Sequence, residues 1–288
     1  MAQGGKAWKI ERNDSQKTVK VEMRAGVGNC CILAGNNNDS LYVRSSDAKL
    51  LENLEYKETT DDNQRSVWLH LKGRKEATLT NTITDHFFGS NDNNKCNFDL
   101  KLPQSFPLDL RFDYAVGTSN INLTELPVQN LKIKTGGANV NISYEENESN
   151  RISMDSLTAN VDMGSLYIDN LGSLRAGKIL AEVCFGTMDI GFPDTLSRPT
   201  EVKANIGAGK LIMRLPKDKD IPVKVVLGES SLCDVVLDPD FSKASSGVYT
   251  NKAYSENAKN PMIVHVDVGM GSVILRRENT KTPQLLPH

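Results

Sequence analysis

The chain has 288 residues, with 34 Lys plus Arg against 36 Asp plus Glu, a formal net charge of −2. That length suits one large domain or two modest ones with a sizeable core, and 39% apolar with 24% charged residues excludes a disordered chain. The charge balance excludes a protein whose main work is electrostatic binding of nucleic acid, and with no run near 18 apolar residues no membrane insertion by this chain is expected.

Residues 1–17 read as a polar N-terminal arm with no apolar stretch of the signal-peptide type. Strict alternation, the period of a half-buried strand, then begins at Val19, Val21 and Met23. It returns at Val67, Leu69 and Leu71, with an ambiguous stretch over residues 45–55 that reads as a short helix or as loop and strand. Residues 18–100 form an irregular N-terminal β region, and the loop-like stretch at 89–96 is the best internal boundary.

From residue 101 to 278 the pattern is regular. Leu108, Leu110, Phe112 and Tyr114 alternate, as do Leu157, Ala159, Val161 and Met163, and then Val202, Ala204 and Ile206, and Val264, Val266 and Val268. Each run meets a Gly and then resumes, as Val161-Asp162-Met163-Gly164 leads to Leu166 and Ile168. The bend glycines are Gly28, Gly117, Gly137, Gly164, Gly186, Gly207, Gly228 and Gly269. From Gly117 onward the steps are 20, 27, 22, 21, 21 and 41, the last reading as a double step with a copy lost near Gly247. A period of 20–22 residues is the mark of stacked units that share a core, and Gly suits a bend because it needs no Cβ clearance. The expected fold is therefore all-β, a β-solenoid (β-helix-like) with rungs of about that length; a hairpin-built sandwich is the competing architecture. Residues 279–288 read as a frayed tail.

Candidate chemistry is sparse. Cys30, Cys31, Cys96, Cys184 and Cys233 lack zinc-ligand spacing, so the first reading is buried free thiols, with a Cys96 bridge to Cys184 or Cys233 left open. His70, His86, His265 and His288 show no nucleophile nearby in sequence, and His265 falls on the outward phase of its run. Three Gly-x-Gly copies (Gly26/Gly28, Gly207/Gly209, Gly269/Gly271) are too repetitive for a phosphate loop. The Asp61-Asp62-Asn63, Asn91-Asp92-Asn93-Asn94 and Asp238-Pro239-Asp240 turns read as solvated turns rather than calcium sites. Lys217, Lys219 and Lys224 interleave with acids and form no nucleic-acid track. Outward Asp162, Asp169, Asp189 and Lys203 are the residues a polysaccharide lyase or hydrolase on a β-helix would use, although no exposed aromatic stripe for sugars is evident.

The phrase LDLRFDYAVGTSNINL at 108–123, continued by LKIKTGGANVNI at 131–142, resembles the "toast-rack" β-solenoid domains of bacterial envelope proteins. These are the "putative-adhesin" families and the extracytoplasmic part of cell-wall-active antibiotics response proteins of the LiaF type. VKVEMRAGVGNCCIL at 19–33 resembles their opening, so the likeness spans about residues 18–277. The resemblance implies an extracytoplasmic structural or interaction module of a bacterial cell envelope, with no catalytic residues to carry over. The expectation is a non-enzymatic, adhesin-like module that meets a protein or cell-surface glycan through its faces or ends. No cofactor, metal or nucleic acid is expected, and two chains could associate end to end. A carbohydrate-active enzyme and an envelope-stress regulator contacting a sensor protein are the alternatives.

Overall fold

The computed structural model describes residues 4–10, 18–36, 39–46, 48–61, 64–72, 96–145, 148–169, 171–192, 196, 198–216, 220–228 and 232–277. His86, His288, Asp62, Asn63, residues 91–94, Lys217, Lys219 and the expected frayed tail lie outside these described residues. In chain order the elements are β1 (Gly4–Lys9), β2 (Thr18–Ala34), β3 (Ser40–Ser45), α1 (Ala48–Glu52), β4 (Leu54–Asp61), β5 (Gln64–Leu71), β6 (Phe98–Leu102), β7 (Leu108–Asn122) and β8 (Val128–Ser143). There follow β9 (Met154–Val161), β10 (Ser165–Ile168), α2 (Leu171–Leu174), β11 (Ala176–Val183), β12 (Thr187–Gly191), β13 (Thr200–Leu215), β14 (Val223–Leu227), β15 (Cys233–Leu237), β16 (Ser242–Ser245), β17 (Val248–Thr250) and β18 (Met262–Arg277). The protein is all-β, as its alternation predicts.

Five long strands, β2, β7, β8, β13 and β18, bend midway, and each half joins a different ladder. Leading halves and single strands pair in the order β5–β2–β7–β8–β9–β11–β13–β18–β14, all parallel. Trailing halves pair in the order β6–β2–β7–β8–β10–β12–β13–β18–β15, again parallel. Antiparallel strands finish the edges: β4 on β5, β1 on β3 on β6, and β16 on β17 on β14. The inward side chains of both ladders make one hydrophobic cluster, from Met23 and Phe112 to Leu211 and Leu275.

Leu110, Leu131, Leu157, Ile179 and Val202 stand side by side on successive strands, at steps of 21, 26, 22 and 23 residues. The chain then departs from simple succession. Val264 of β18 lies beside both Val202 and Val225, so the last strand returns between β13 and the β14/β15 pair. The 41-residue step from Gly228 to Gly269 is thus an excursion, and not a repeat that lost its Gly. Gly247 sits in the β16–β17 turn with φ +67. The N-terminal end repeats the device, since β2 lies between β7 and the β5/β6 pair. That explains why residues before about 100 show no regular period.

Part of the expected polar arm is structured: β1 lies antiparallel to β3, and Trp8 stacks on Tyr56 of β4 with ring centroids 4.4 Å apart and planes 7° apart. With buried Leu51 of α1, this pair joins the edges of the two ladders at the N-terminal end.

Candidate interaction surface

Seven pairs of buried residues flank the bends, each pair five residues apart: Ala25/Cys30, Tyr114/Ser119, Thr135/Val140, Val161/Leu166, Val183/Met188, Ile206/Leu211 and Val268/Val273. Side chains alternate along a strand, so an odd spacing reverses the facing parity. The chain turns a corner there, and the reversal keeps both halves facing one core. The third position after each bend's first buried residue is Gly28, Gly117, Ala138, Gly164, Gly186, Gly209 or Gly271, and these stack as direct neighbours. The approach is close: a Cβ on Gly164 would fall inside the contact distance of Ala138 O, and one on Gly209 would lie 2.7 Å from Gly186 O.

The expected bend glycines are therefore spread over several positions. Gly28, Gly117, Gly164 and Gly186 fall in this tight column. Gly207 and Gly269 lie two residues earlier, and Gly137 one earlier, where its nearest atom to an added Cβ is 3.7 Å away. Gly228 follows β14 and donates its N–H to Val266 O at 2.8 Å.

Immediately before the tight column the chain points outward. Those positions hold Val116, Gly137, Met163, Phe185, Ala208 and Met270, with Leu232 beside Met270 where β15 begins. Met163, Phe185, Met270 and Leu232 are 65%, 66%, 54% and 65% exposed. They form an apolar ridge along the bends of the C-terminal half. Tyr167, Val235 and Val236, the other large exposed apolar residues among those described, lie in the same half. The sequence pattern alone did not reveal the ridge, and it showed no exposed aromatic stripe. The signal was present, since an outward residue must precede each tight Gly once the five-residue spacing is counted.

The expected chemical residues are mostly spent on one another. Asp189 accepts from Arg214 Nε at 2.7 Å, and Arg214 Nη2 lies 3.6 Å from Asp169. Asp162 is half-buried on the bend, away from that group, while exposed Lys203 pairs with Glu201 at 3.3 Å. In the 238–240 turn, Asp238 accepts the Arg277 N–H at 2.8 Å and Asp240 lies 3.6 Å from Arg277 Nε, so an arginine fills the turn. His70 faces Glu55 at 3.4 Å, and His265 is exposed as its phase predicts. A cavity of about 360 Å³ is walled by Glu125, Glu145 and Glu148 with Asn122 and Thr124. A second, of about 270 Å³, crosses Lys20, Arg111 and Lys132. Its Lys20 already pairs with Glu22 at 2.5 Å and its Arg111 with Asp113 at 3.3 Å.

The cysteines depart from expectation. Cys31 and Cys96 form a disulfide with Cα atoms 5.6 Å apart, so Cys96 bonds neither Cys184 nor Cys233. Adjacent residues in a strand face opposite ways, which leaves Cys30 a buried free thiol while Cys31 reaches its partner outside. Burial, and then the Asp99 charge, push the Cys30 thiol up to about 12. Cys184 is free and exposed.

The family model for the N-terminal domain of toast_rack, DUF2154, matches residues 2–165. The chain belongs to the toast_rack family. The matched region runs from the N-terminal excursion through the first four tight bends. No curated protein matches the chain. Similar solved structures include a "putative cell adhesion protein" from Clostridium sporogenes (16% identity, 96% of this chain and 100% of that one, TM-score 0.43). A "putative adhesin" from Bacteroides fragilis shares 11% identity over 95% of this chain and 97% of its own, with a TM-score of 0.39. A "putative lipid binding protein" from Parabacteroides distasonis shares 12% over 95% and 96%, also at 0.39.

Proposed function

We propose that this toast_rack chain is a non-enzymatic, adhesin-like module of the bacterial cell envelope, built as a β-solenoid whose rungs are the bent strand units. It meets a protein or glycan partner along its outer edge. The observation that carries this reading is the ridge of Met163, Phe185, Met270 and Leu232, because exposed apolar side chains gathered in one line mark interaction sites. Family membership and the names of the similar structures support it. The Cys31–Cys96 disulfide supports an extracytoplasmic location, since such bonds persist in oxidising compartments.

The test is a binding screen of the immobilised chain against purified cell-surface glycans and envelope-protein ectodomains, repeated with the double variant Met163→Ser/Phe185→Ser. Both positions are exposed, so the variant keeps its melting temperature. Loss of the wild-type partner is expected, and equal binding by both proteins sinks the reading. A second reading, a carbohydrate-active enzyme, rests on the meeting of Asp169, Asp189 and Arg214. Polysaccharide cleavage that Arg214→Ala abolishes would favour it.

A further inference from the structure

Away from the ridge, three donor groups converge where β2 meets β6. Cys31 and Asp99 are direct neighbours in the parallel pairing of these strands, and Cys96 precedes β6, three residues before Asp99. The two Sγ atoms and a carboxylate oxygen of Asp99 all lie within 4.8 Å of one another, and all three residues are half-buried. On the same strand face as Cys31, two residues earlier, Asn29 holds a buried Oδ1 with no hydrogen-bond donor among the described residues. Asp99 is steadied from its other side by Arg44 on β3, at 3.8 Å.

Once the S–S bond is opened, two sulfurs and an oxygen held this near one another have only to separate slightly to surround a tetrahedral metal ion. Zinc bonds sulfur at about 2.3 Å and oxygen at about 2.1 Å, which sets neighbouring donors about 3.5 Å apart. Strand pairing fixes Cys31 against Asp99 before any metal arrives. In the oxidised chain the sulfurs are bonded to each other and offer no thiolate. Reduction changes the charge as well as the bonding. Two thiolates and one carboxylate facing a single Arg44 leave a net negative site, with soft ligands that favour zinc over calcium or magnesium.

We propose that the reduced chain binds one thiophilic divalent cation, zinc in the first instance, through Cys31, Cys96 and Asp99, and that the Cys31–Cys96 disulfide closes this site. The inference is independent of the ridge. It departs from the sequence expectation of no metal. Opening the site breaks the S–S bond and takes up two electrons and two protons from a dithiol, which is itself oxidised to a disulfide. A phosphine does the same in vitro, taking the oxygen of one water as it becomes a phosphine oxide. Binding of the cation then releases the two thiol protons.

The experiment reduces the full chain with a phosphine, removes the excess and titrates cobalt(II), followed by zinc competition. Expected are thiolate-to-cobalt charge-transfer bands and tetrahedral visible bands at one cobalt per chain, displaced by zinc. The oxidised chain should show neither. Cys31→Ser should abolish the bands, Asp99→Asn should weaken zinc at least tenfold, and Cys184→Ser should change nothing. Zinc at a fixed concentration should also raise the melting temperature of the reduced wild type by more than that of Asp99→Asn. Bands absent from the reduced wild type, or retained in Cys31→Ser, overturn the proposal. So does a chain that unfolds on reduction and is not restored by zinc.

Discussion

The carbonyl oxygen of Gly164 accepts the Thr187 N–H at 3.0 Å, and it stands where a Cβ on Gly186 would press. Successive bends are thus in backbone contact, with Val161 Cγ1 closing the space from the side at 2.8 Å from that Cβ position. Gly186→Val therefore forces two strands apart and should cost about 3 kcal/mol. Gly137→Ala meets nothing nearer than 3.7 Å and should stay within about 0.5 kcal/mol of the parent. Urea denaturation of both variants checks the contrast, and equal midpoints would sink the close-stacking account.

Asn150 carries a second prediction. Its Oδ1 accepts the Val128 N–H at 2.9 Å, and its Nδ2 donates to Val128 O at 2.6 Å and Leu174 O at 3.4 Å. The side chain completes the backbone bonding of a neighbouring strand start, in a place water does not reach. Asn251 does the same for Val223 N at 2.9 Å and Ile221 O at 2.8 Å. Asn150→Asp removes the donors and buries a charge, and should cost roughly 3 kcal/mol at neutral pH. Exposed Asn141, bonded to Asn120 at 3.0 Å, is the control: Asn141→Ala should change stability by less than about 0.5 kcal/mol. Calorimetric melts of the two variants decide.

The chain's 26 Asn point, as composition, only to turns, because composition cannot tell a solvated Asn from a buried one. Strand alternation was legible, since a residue such as Val202 betrays its facing through its two neighbours. Glycines accompany the bends, but the sequence did not say which of them stand in the tight column: Gly164 and Gly186 do, whereas Gly137 has nothing nearer than 3.7 Å to an added Cβ. The order of strands was not legible. Nothing local in Met262–Arg277 says that it inserts beside Thr200–Leu215 at a distance of 62 residues, because parallel pairing leaves no turn signal. The disulfide was equally hidden, since Cys31 and Cys96 are brought together by the β2–β6 pairing across 65 residues. The ridge was readable in principle, from Met163 and Phe185 each standing before a tight Gly.

Thiol chemistry separates the described cysteines. Cys184 is exposed and should react with a maleimide in the native state, with the label found on its peptide by mass spectrometry. Cys30 is buried and held protonated by burial and then by Asp99, so it should label only after denaturation. Removing the disulfide by Cys96→Ser frees a closed loop of some 65 residues and should cost roughly 4 kcal/mol on chain-entropy grounds. Rapid native labelling of Cys30, or an unchanged melt for Cys96→Ser, would contradict this arrangement.

Glu22 gives a pH dependence. It is nearly buried on β2, and burial alone would raise its carboxyl. The Lys20 ammonium at 2.5 Å, the Arg111 charge and a hydrogen bond from Trp68 outweigh that and hold it below the usual glutamate value of 4.5. A carboxyl lowered by folding binds its proton more weakly in the native chain than in the unfolded one. Its stabilising contribution is therefore fully present above the unfolded value and disappears as the pH falls through the folded one. Glu22→Gln should cost on the order of 1 kcal/mol at pH 7. The difference from wild type should narrow below about pH 4.5 and reach a lower plateau in stronger acid. Paired urea titrations at pH 7, 5 and 3.5 measure it, and a gap that stays constant with pH would remove Glu22 from the ion network.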